Sequence, residues 1–128
     1  MSEAQRILVT GRTGFIGSYV VVRLREQGIE PVTPTLADLD LTNARITDSV
    51  IRSIQPEIVL HLGGVTGADT TAERCNEVNF IGTVNLLQAF GRTGVSRVVL
   101  FGIAAEYGPQ KTPFREDMPV QPVSPYAV

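Results

Sequence analysis

Short continuous apolar runs alternate along the chain with longer stretches in which apolar residues recur at helical spacing. The continuous runs, at residues 6–10, 57–62 and 97–102, predict strands that are covered on both faces. The helical spacing predicts three amphipathic helices, which run from Phe15 to Gln27, from Asn43 to Ile54 and over residues 72–92.

Two weaker segments lie between the first two helices. EPVTPT (30–35) predicts a short second strand, which its two prolines push towards irregular geometry because proline has no N–H to donate. LADLDL (36–41) alternates between apolar and polar residues and predicts a third short strand. Strands that alternate with helices in this way predict an α/β fold with a doubly wound parallel sheet, a Rossmann fold of about five strands in one domain, 1–128.

The composition changes after residue 102. Prolines at positions 109, 113, 119, 122 and 125 predict a long surface loop. Ser124 followed by Pro125 is typical of a helix N-cap with proline at the first helical position, so a further helix is expected to begin there.

Composition and charge narrow the class of protein. The 128 residues, 43% of them hydrophobic, suffice for one core, and a net charge of -2 without a basic cluster argues against nucleic acid or an anionic membrane as a partner. No apolar run is long enough to span a bilayer, and no secretion signal precedes the first strand. A cytoplasmic location is therefore expected.

Two reactive residue types occur once each. Cys75, the only cysteine, rules out a disulfide or a cysteine-based zinc site within one chain, and we expect it to be structural rather than nucleophilic. His61, the only histidine, lies in the apolar run IVLHL, where a packing role is favoured over that of a general base. No metal site is predicted.

The segment TGRTGFIG (10–17) is the first candidate for binding chemistry. It spaces three glycines between a strand and a helix, where they permit a tight turn, close approach of a diphosphate to the backbone, and close packing of helix on strand. The helix start then offers free N–H groups to phosphates. The residues predicted to bind a dinucleotide here are Gly11, Arg12, Thr13, Gly14, Phe15, Ile16 and Gly17.

Together with five further segments, this turn resembles the extended short-chain dehydrogenases/reductases, also called the NAD-dependent epimerase/dehydratase family. The segments that carry the resemblance are TGRTGFIG, DLDLT (38–42), HLGG (61–64), NEVNFIGTVNLLQAF (76–90), GIAAEYG (102–108) and TPFREDMPVQPVSPYAV (112–128). The resemblance implies an NAD(P)-binding Rossmann domain truncated after about five strands, without the family's C-terminal strands and substrate domain. It also implies a nucleotide sugar as substrate and, in the complete enzyme, hydride transfer at a sugar carbon.

The resemblance also implies further cofactor-binding residues. These are Asp40 and Leu41 beside the adenine, Leu62, Gly63 and Gly64 in the HLGG loop, and Asn79, for which a plain helix-surface position is the alternative. The cofactor is NAD or NADP. No carboxylate follows the second strand until Asp38, and Arg12 in the glycine turn suits a 2′-phosphate, which favours NADP.

The catalytic residues implied by the resemblance are incomplete. Tyr126 matches the tyrosine of the family's YxxxK pair, whose lysine would be residue 130, and Ile103 stands where the family has Ser or Thr. Tyr107 and Lys111 have the same spacing, but the Gly-Pro pair between them forbids a regular helix. This chain alone is therefore expected to be inactive, and a catalytically silent nucleotide-binding or assembly module is the alternative.

The predicted sheet ends on an apolar strand, RVVLF (97–101), whose outer edge is expected to be open. Open apolar edges invite pairing with a second chain. We therefore predict a homo-oligomer that forms through this edge and the 72–92 helix.

Overall fold

The structure, a computed structural model, describes residues 5–66 and 70–128. Strands β1 (Ile7–Thr10), β2 (Ile58–His61) and β3 (Arg97–Leu100) form one parallel sheet in the order β1-β2-β3. Val32 adds a single bridge to β1 through the carbonyl of Ile7 and the N–H of Val9, on the edge away from β2. The chain therefore leaves β1 first to one side and then to the other, which creates the switch point of a doubly wound sheet.

The helices begin and end at residues that the sequence marks. Helix α1 (Phe15–Glu26) follows Gly14 and stops before Gly28, which has a φ of 76°. Helix α2 (Ala44–Ile54) begins at Asn43, whose Oδ1 accepts the N–H groups of Arg45 and Ile46. The third helical stretch consists of α3 (Ala72–Cys75), a π-helical segment (Asn76–Ile81) and α4 (Gly82–Phe90), and a 3-10 turn (Ala104–Tyr107) follows β3.

Hydrophobic cores on both faces of the sheet confirm the predicted three-layer fold. Leu8 and Val59 point to one face, where they pack with Ile51 of α2 and with Leu86 and Phe90 of α4. The alternate residues of the same strands point to the other face and pack beneath α1; they include Ile7, Val9 and Leu60, which lie near Val21. β1 and β2 are covered on both faces, as their continuous apolar runs predict. For β3 the prediction is wrong: within the described residues only Val98 of this strand packs against a core, and Val99 and Leu100 are exposed, because the strand lies at the edge of the sheet.

The two weaker strand predictions fail in different ways. Within 30–35 only Val32 pairs with the sheet, because the flanking prolines have no N–H to extend the ladder. The strand predicted over 36–41 is wrong. Thr35 donates its N–H and its hydroxyl to Asp38 Oδ2, at 3.0 and 2.6 Å, and this side-chain turn replaces an extended conformation. The sheet has three strands and one bridge, within the described residues, rather than about five strands.

Two helix predictions are modified by the structure. The stretch predicted over 72–92 is helical from Ala72 to Phe90, but its middle is π-helical, with the N–H of Gly82 bonded to the carbonyl of Glu77 five residues earlier. At Ser124, where the sequence predicts the start of a helix, one turn forms, closed by the N–H of Ala127 on the carbonyl of Ser124.

Within 5–66 and 70–128, no helix combines the length and apolarity needed to cross a membrane.

Candidate functional site

A cleft of about 390 Å³ opens at the carboxyl ends of β1 and β2, beside the switch point. Four chain segments and two residues of the third helical stretch line it: 10–13, 34–36, 39–42, 63–65, Arg74 and Val78. In open α/β sheets, ligands bind at this position because the loops on both sides of the switch diverge and leave a crevice.

The glycine turn forms one end of the cleft, and two of its glycines are required by packing. Gly11 has a φ of 75°, and a Cβ there would lie 2.5 Å from the carbonyl carbon of Leu62. A Cβ on Gly17 would lie 2.0 Å from the carbonyl oxygen of Gly11. The turn and the first residues of α1 are therefore pressed against each other and against the end of β2.

Gly14 differs from its two neighbours in the turn. A Cβ on it would meet, among the described atoms, only the carbonyl oxygen of Gly11 at an ordinary 3.4 Å, and its φ of -72° suits any residue. As the N-cap of α1 it brings no side chain to bond the N–H groups of the first turn, and that turn carries no acidic residue. The start of α1 can therefore accept an anion against its backbone.

Asp40 and Leu41 form one wall of the cleft, and hydrogen bonds and close contacts within the chain hold this wall in place. Asp40 Oδ1 accepts the N–H of Thr42 at 3.0 Å and its hydroxyl at 2.7 Å. Asn85 of α4 donates its side-chain N–H to the carbonyl of Leu41 at 2.8 Å, and Gly82 lets α4 approach, since a Cβ there would lie 3.1 Å from Leu41 Cβ. These contacts within the chain hold the wall against α4.

A cation and a carboxylate lie near the outer end of the cleft. The hydroxyl and the N–H of Thr35 donate to Asp38 and lower the pKa of its carboxyl group, and the nearby charge of Arg12 adds a smaller lowering. Arg12 itself lines the cleft and is exposed. This end can therefore present a positive side chain to a ligand while the negative one is engaged within its own turn.

Residues 63–65 form the wall opposite Asp40, and polar side chains hold them from behind. The N–H of Gly63 donates to Thr10 Oγ1 at 3.1 Å. Asn79 accepts the N–H of Val65 at 2.8 Å and donates to its carbonyl at 2.9 Å, so this one side chain replaces a strand partner for that residue. Asn79 thus lies behind the loop and orders it, outside the lining of the cleft.

A second cavity, of about 580 Å³, contains the predicted catalytic tyrosine. Its lining residues are Thr66, Thr70, Ala72, Cys75, Ser124, Pro125 and Tyr126. It adjoins the cleft, because Val65 and Arg74 line the cleft while the next residue after each lines this cavity. The only cysteine is a free, buried thiol here.

Ile103 and Tyr107 line neither cavity. Ile103 directly precedes the 3-10 turn. The turn ends at Tyr107, and Gly108 with a φ of 65° prevents a helix from continuing to Lys111. Tyr107 instead stacks on Phe114, with ring centroids 5.5 Å apart.

The sequence as a whole matches a known family. The model of the NAD dependent epimerase/dehydratase family matches residues 7–128, which is nearly the entire chain. The chain belongs to this family. It is 32% identical over 144 residues to the UDP-glucose 4-epimerase of Azospirillum brasilense, an alignment that covers 98% of this chain and 41% of the relative. It is 34% identical over 129 residues to the GDP-6-deoxy-D-talose 4-dehydrogenase of Aggregatibacter actinomycetemcomitans, covering 96% and 44%.

Solved structures agree with this assignment. The crystal structure of the UDP-glucose 4-epimerase of Thermus thermophilus in complex with NAD superimposes with a TM-score of 0.83 at 30% identity, over 96% of this chain and 46% of that one. A short-chain dehydrogenase/reductase superfamily protein from Agrobacterium tumefaciens with bound NAD gives a TM-score of 0.82 at 32% identity, over 96% and 41%. The chain spans less than half the length of these relatives.

Among the residues predicted from the resemblance to the epimerase/dehydratase family, seven line the cleft: Gly11, Arg12, Thr13, Asp40, Leu41, Gly63 and Gly64. Residues 14–17 begin α1 beside it, and Leu62 contacts the turn at Gly11. Nine further lining residues are not predicted as site residues from the sequence: Thr10, Pro34, Thr35, Leu36, Leu39, Thr42, Val65, Arg74 and Val78. Thr10 is detectable in principle, since it ends β1 directly before the glycine turn, whereas nothing in the sequence pattern marks Arg74.

Proposed function

We propose that the cleft binds a nicotinamide dinucleotide and that this chain is the cofactor-binding portion of a nucleotide-sugar epimerase, dehydratase or reductase. The observation that carries the proposal is the contrast among the three glycines. Packing accounts for Gly11 and Gly17 but not for Gly14, which caps α1 where a diphosphate would approach the backbone. The family match and the NAD named with two similar structures support the same ligand.

Each wall of the cleft has a role in this proposal. The N–H groups at the start of α1 hold the diphosphate. The segment of Asp40 and Leu41 receives the adenine, and residues 63–65 border the path towards the second cavity. The bound nicotinamide supplies a hydride acceptor or donor, and the protein groups supply orientation and exclusion of water.

The choice between NAD and NADP depends on the outer end of the cleft. Arg12 offers a charge that a 2′-phosphate pairs with, and the carboxylate of Asp38 is already engaged by Thr35. Both features favour NADP. The two similar structures contain NAD, which favours the other dinucleotide, so binding of both has to be measured.

Calorimetric titration of the chain with NAD and NADP tests the proposal. We expect saturable binding of at least one of them. We further expect Gly14→Ala to weaken binding by at least about tenfold, because its methyl group separates the backbone from the diphosphate. The free energy of unfolding should change by less than about 1 kcal/mol, since among the described atoms the added Cβ meets only the carbonyl oxygen of Gly11, at 3.4 Å.

Gly94→Ala is the matched control, because a Cβ there meets no described atom within 4 Å. It should leave binding unchanged. A wild-type chain that binds neither dinucleotide would contradict the proposal, as would Gly14→Ala with wild-type affinity. In the same titrations Arg12→Ala should weaken NADP binding more than NAD binding, and equal losses would refute the preference for NADP.

The complete reaction is a proposal about the whole protein. Its substrate is a nucleotide sugar, and the reaction moves a hydride to or from a sugar carbon while Tyr126 exchanges a proton with the sugar oxygen. The second cavity, which adjoins the cleft, is the space for this sugar. A phenol acts as a base at neutral pH only where a neighbouring cation stabilises the phenolate, so the reaction requires more than this tyrosine.

Ile103 favours a second candidate function, a nucleotide-binding module without turnover. An isoleucine has no hydroxyl with which to stabilise a developing oxyanion, and loss of one such donor typically costs about a hundredfold or more in rate. A chain that binds a dinucleotide, yet converts no nucleotide sugar to any product when expressed at its relatives' length, would fit this candidate.

We also propose that the chain self-associates. Leu100 and Phe101 at the end of β3 are about half exposed, and Phe80 of the π-helical segment is 61% exposed. Open sheet edges and exposed apolar patches are typical of surfaces that pair with a second chain. Light scattering over a range of concentrations should give a mass above that of one chain, and Phe80→Ser should shift the distribution towards monomer. A monodisperse monomer at high concentration would refute this proposal.

A further inference from the structure

His61 occupies a buried position at the end of β2, between two threonines. It is 6% exposed and lies in register with Thr10 of β1. Its Nδ1 is 2.7 Å from Thr10 Oγ1, and its Nε2 is 2.9 Å from Thr83 Oγ1 on α4. Both ring nitrogens are therefore engaged by hydroxyl groups, and neither is available to a substrate.

The partners of Thr83 determine which nitrogen carries the proton. Thr83 Oγ1 is 2.7 Å from the carbonyl oxygen of Asn79, which can only accept a hydrogen bond. The single hydroxyl proton of Thr83 is used there, so its oxygen must accept from His61 Nε2–H. In a neutral imidazole Nδ1 is then an acceptor, and the hydroxyl of Thr10 donates to it.

The same two threonines hold the wall formed by residues 63–65. Thr10 Oγ1 accepts the N–H of Gly63, which leaves its proton for His61. On the other side, Thr83 bonds the carbonyl of Asn79, and the side chain of Asn79 bonds both backbone groups of Val65. His61 therefore joins the two supports of this wall into one chain of hydrogen bonds.

A protonated ring is incompatible with this chain of hydrogen bonds. An Nδ1–H group would donate to Thr10 Oγ1 beside the N–H of Gly63, and the hydroxyl proton of Thr10 would then lose its acceptor, His61 Nδ1. Burial lowers the pKa of His61, and among the described residues no charged side chain bonds it. The neutral ring is the form that satisfies every polar atom.

We propose that His61, as the neutral Nε2–H tautomer, is a positioning residue that fixes the wall formed by residues 63–65 through Thr10 and Thr83. The proposal rests on the proposed function, since it gives this wall its purpose as part of a dinucleotide site. Its hydrogen-bond pattern, however, is testable in the chain without any ligand.

The first experiment observes the tautomer directly. Because His61 is the only histidine, long-range ¹H–¹⁵N correlation spectra of the ligand-free chain contain one imidazole. At pH 7 we expect the Nε2–H tautomer. The Nδ1–H tautomer, an imidazolium, or rapid averaging between tautomers would overturn the proposal.

The second experiment breaks the chain of hydrogen bonds at Thr83. Thr83→Val keeps the shape of the side chain and removes the hydroxyl, and Thr83→Ser restores it. In the valine variant the amides of Gly63 and Val65 should exchange with solvent at least about tenfold faster, and dinucleotide binding should weaken by a similar factor. The serine variant should recover both properties.

Thr93→Val is the matched control, because Thr93 also donates its hydroxyl to a helix carbonyl, that of Phe90, at the other end of α4. It should change neither property. Unchanged exchange at Gly63 and Val65 in Thr83→Val would overturn the positioning role. If the wild-type chain binds no dinucleotide, the proposed function fails, while the tautomer and the exchange rates still decide the role of His61.

Discussion

Replacing Gly17 with alanine should lower the free energy of unfolding by at least about 3 kcal/mol. Helix propensity alone predicts the opposite sign, because alanine in a helix is more stable than glycine by about 1 kcal/mol. The added Cβ, however, would lie 2.0 Å from the carbonyl oxygen of Gly11 and 2.8 Å from its carbonyl carbon. Both are backbone atoms of a turn that cannot rotate away, so steric overlap decides the sign of the change in stability.

Gly11→Ala should be at least as damaging. It combines a positive φ, which costs a non-glycine residue about 1–2 kcal/mol, with a Cβ 2.5 Å from the backbone of Leu62. Urea denaturation measures both variants, and Gly94→Ala controls for the change of residue type. If Gly17→Ala were as stable as the wild type, the close contact between α1 and the turn would be wrong, and with it the shape of the cleft end.

These contacts explain why the glycine turn is the part of the site that sequence predicts best. Backbone contacts leave no choice of residue at Gly11 and Gly17, so the requirement appears in the sequence as a fixed spacing between a strand and a helix. The helix boundaries follow for a similar local reason, since Asn43 caps α2 through its own side chain. Features that depend on one or two neighbouring residues can be predicted from the sequence without a structure.

Features that depend on contacts between distant segments cannot be predicted from the sequence pattern in this way. The alternation at 36–41 predicts a strand, yet the buried side chains of Leu39 and Leu41 join the core from a turned segment that Thr35 and Asp38 stabilise. The π-helical segment leaves no mark in the apolar spacing, although it carries Asn79, which holds Val65. Side-chain bonds to the backbone, rather than periodicity, determine both regions.

Between pH 7 and pH 5 the free energy of unfolding should fall by about 2 kcal/mol because of His61 alone. Burial lowers the pKa of His61 from 6.5 to about 4 in the folded chain. In this range the unfolded chain binds a proton at His61 and the folded chain does not, so acidification favours unfolding. The contribution is fully present above pH 6.5 and disappears as the pH approaches 4. Denaturation curves at several pH values measure it.

His61→Gln provides the control, because the variant has no histidine and its stability should be nearly constant between pH 7 and pH 5. Carboxylates with a lowered pKa, such as Asp38 and Asp117, do not account for a loss of stability between pH 7 and pH 5. Their contribution to the free energy of unfolding is lost only at more acidic pH. A wild-type chain whose stability does not change from pH 7 to pH 5 would mean that His61 titrates equally in both states. The ring would then be open to water, and the hydrogen bonds that link Thr10 to Thr83 would not form.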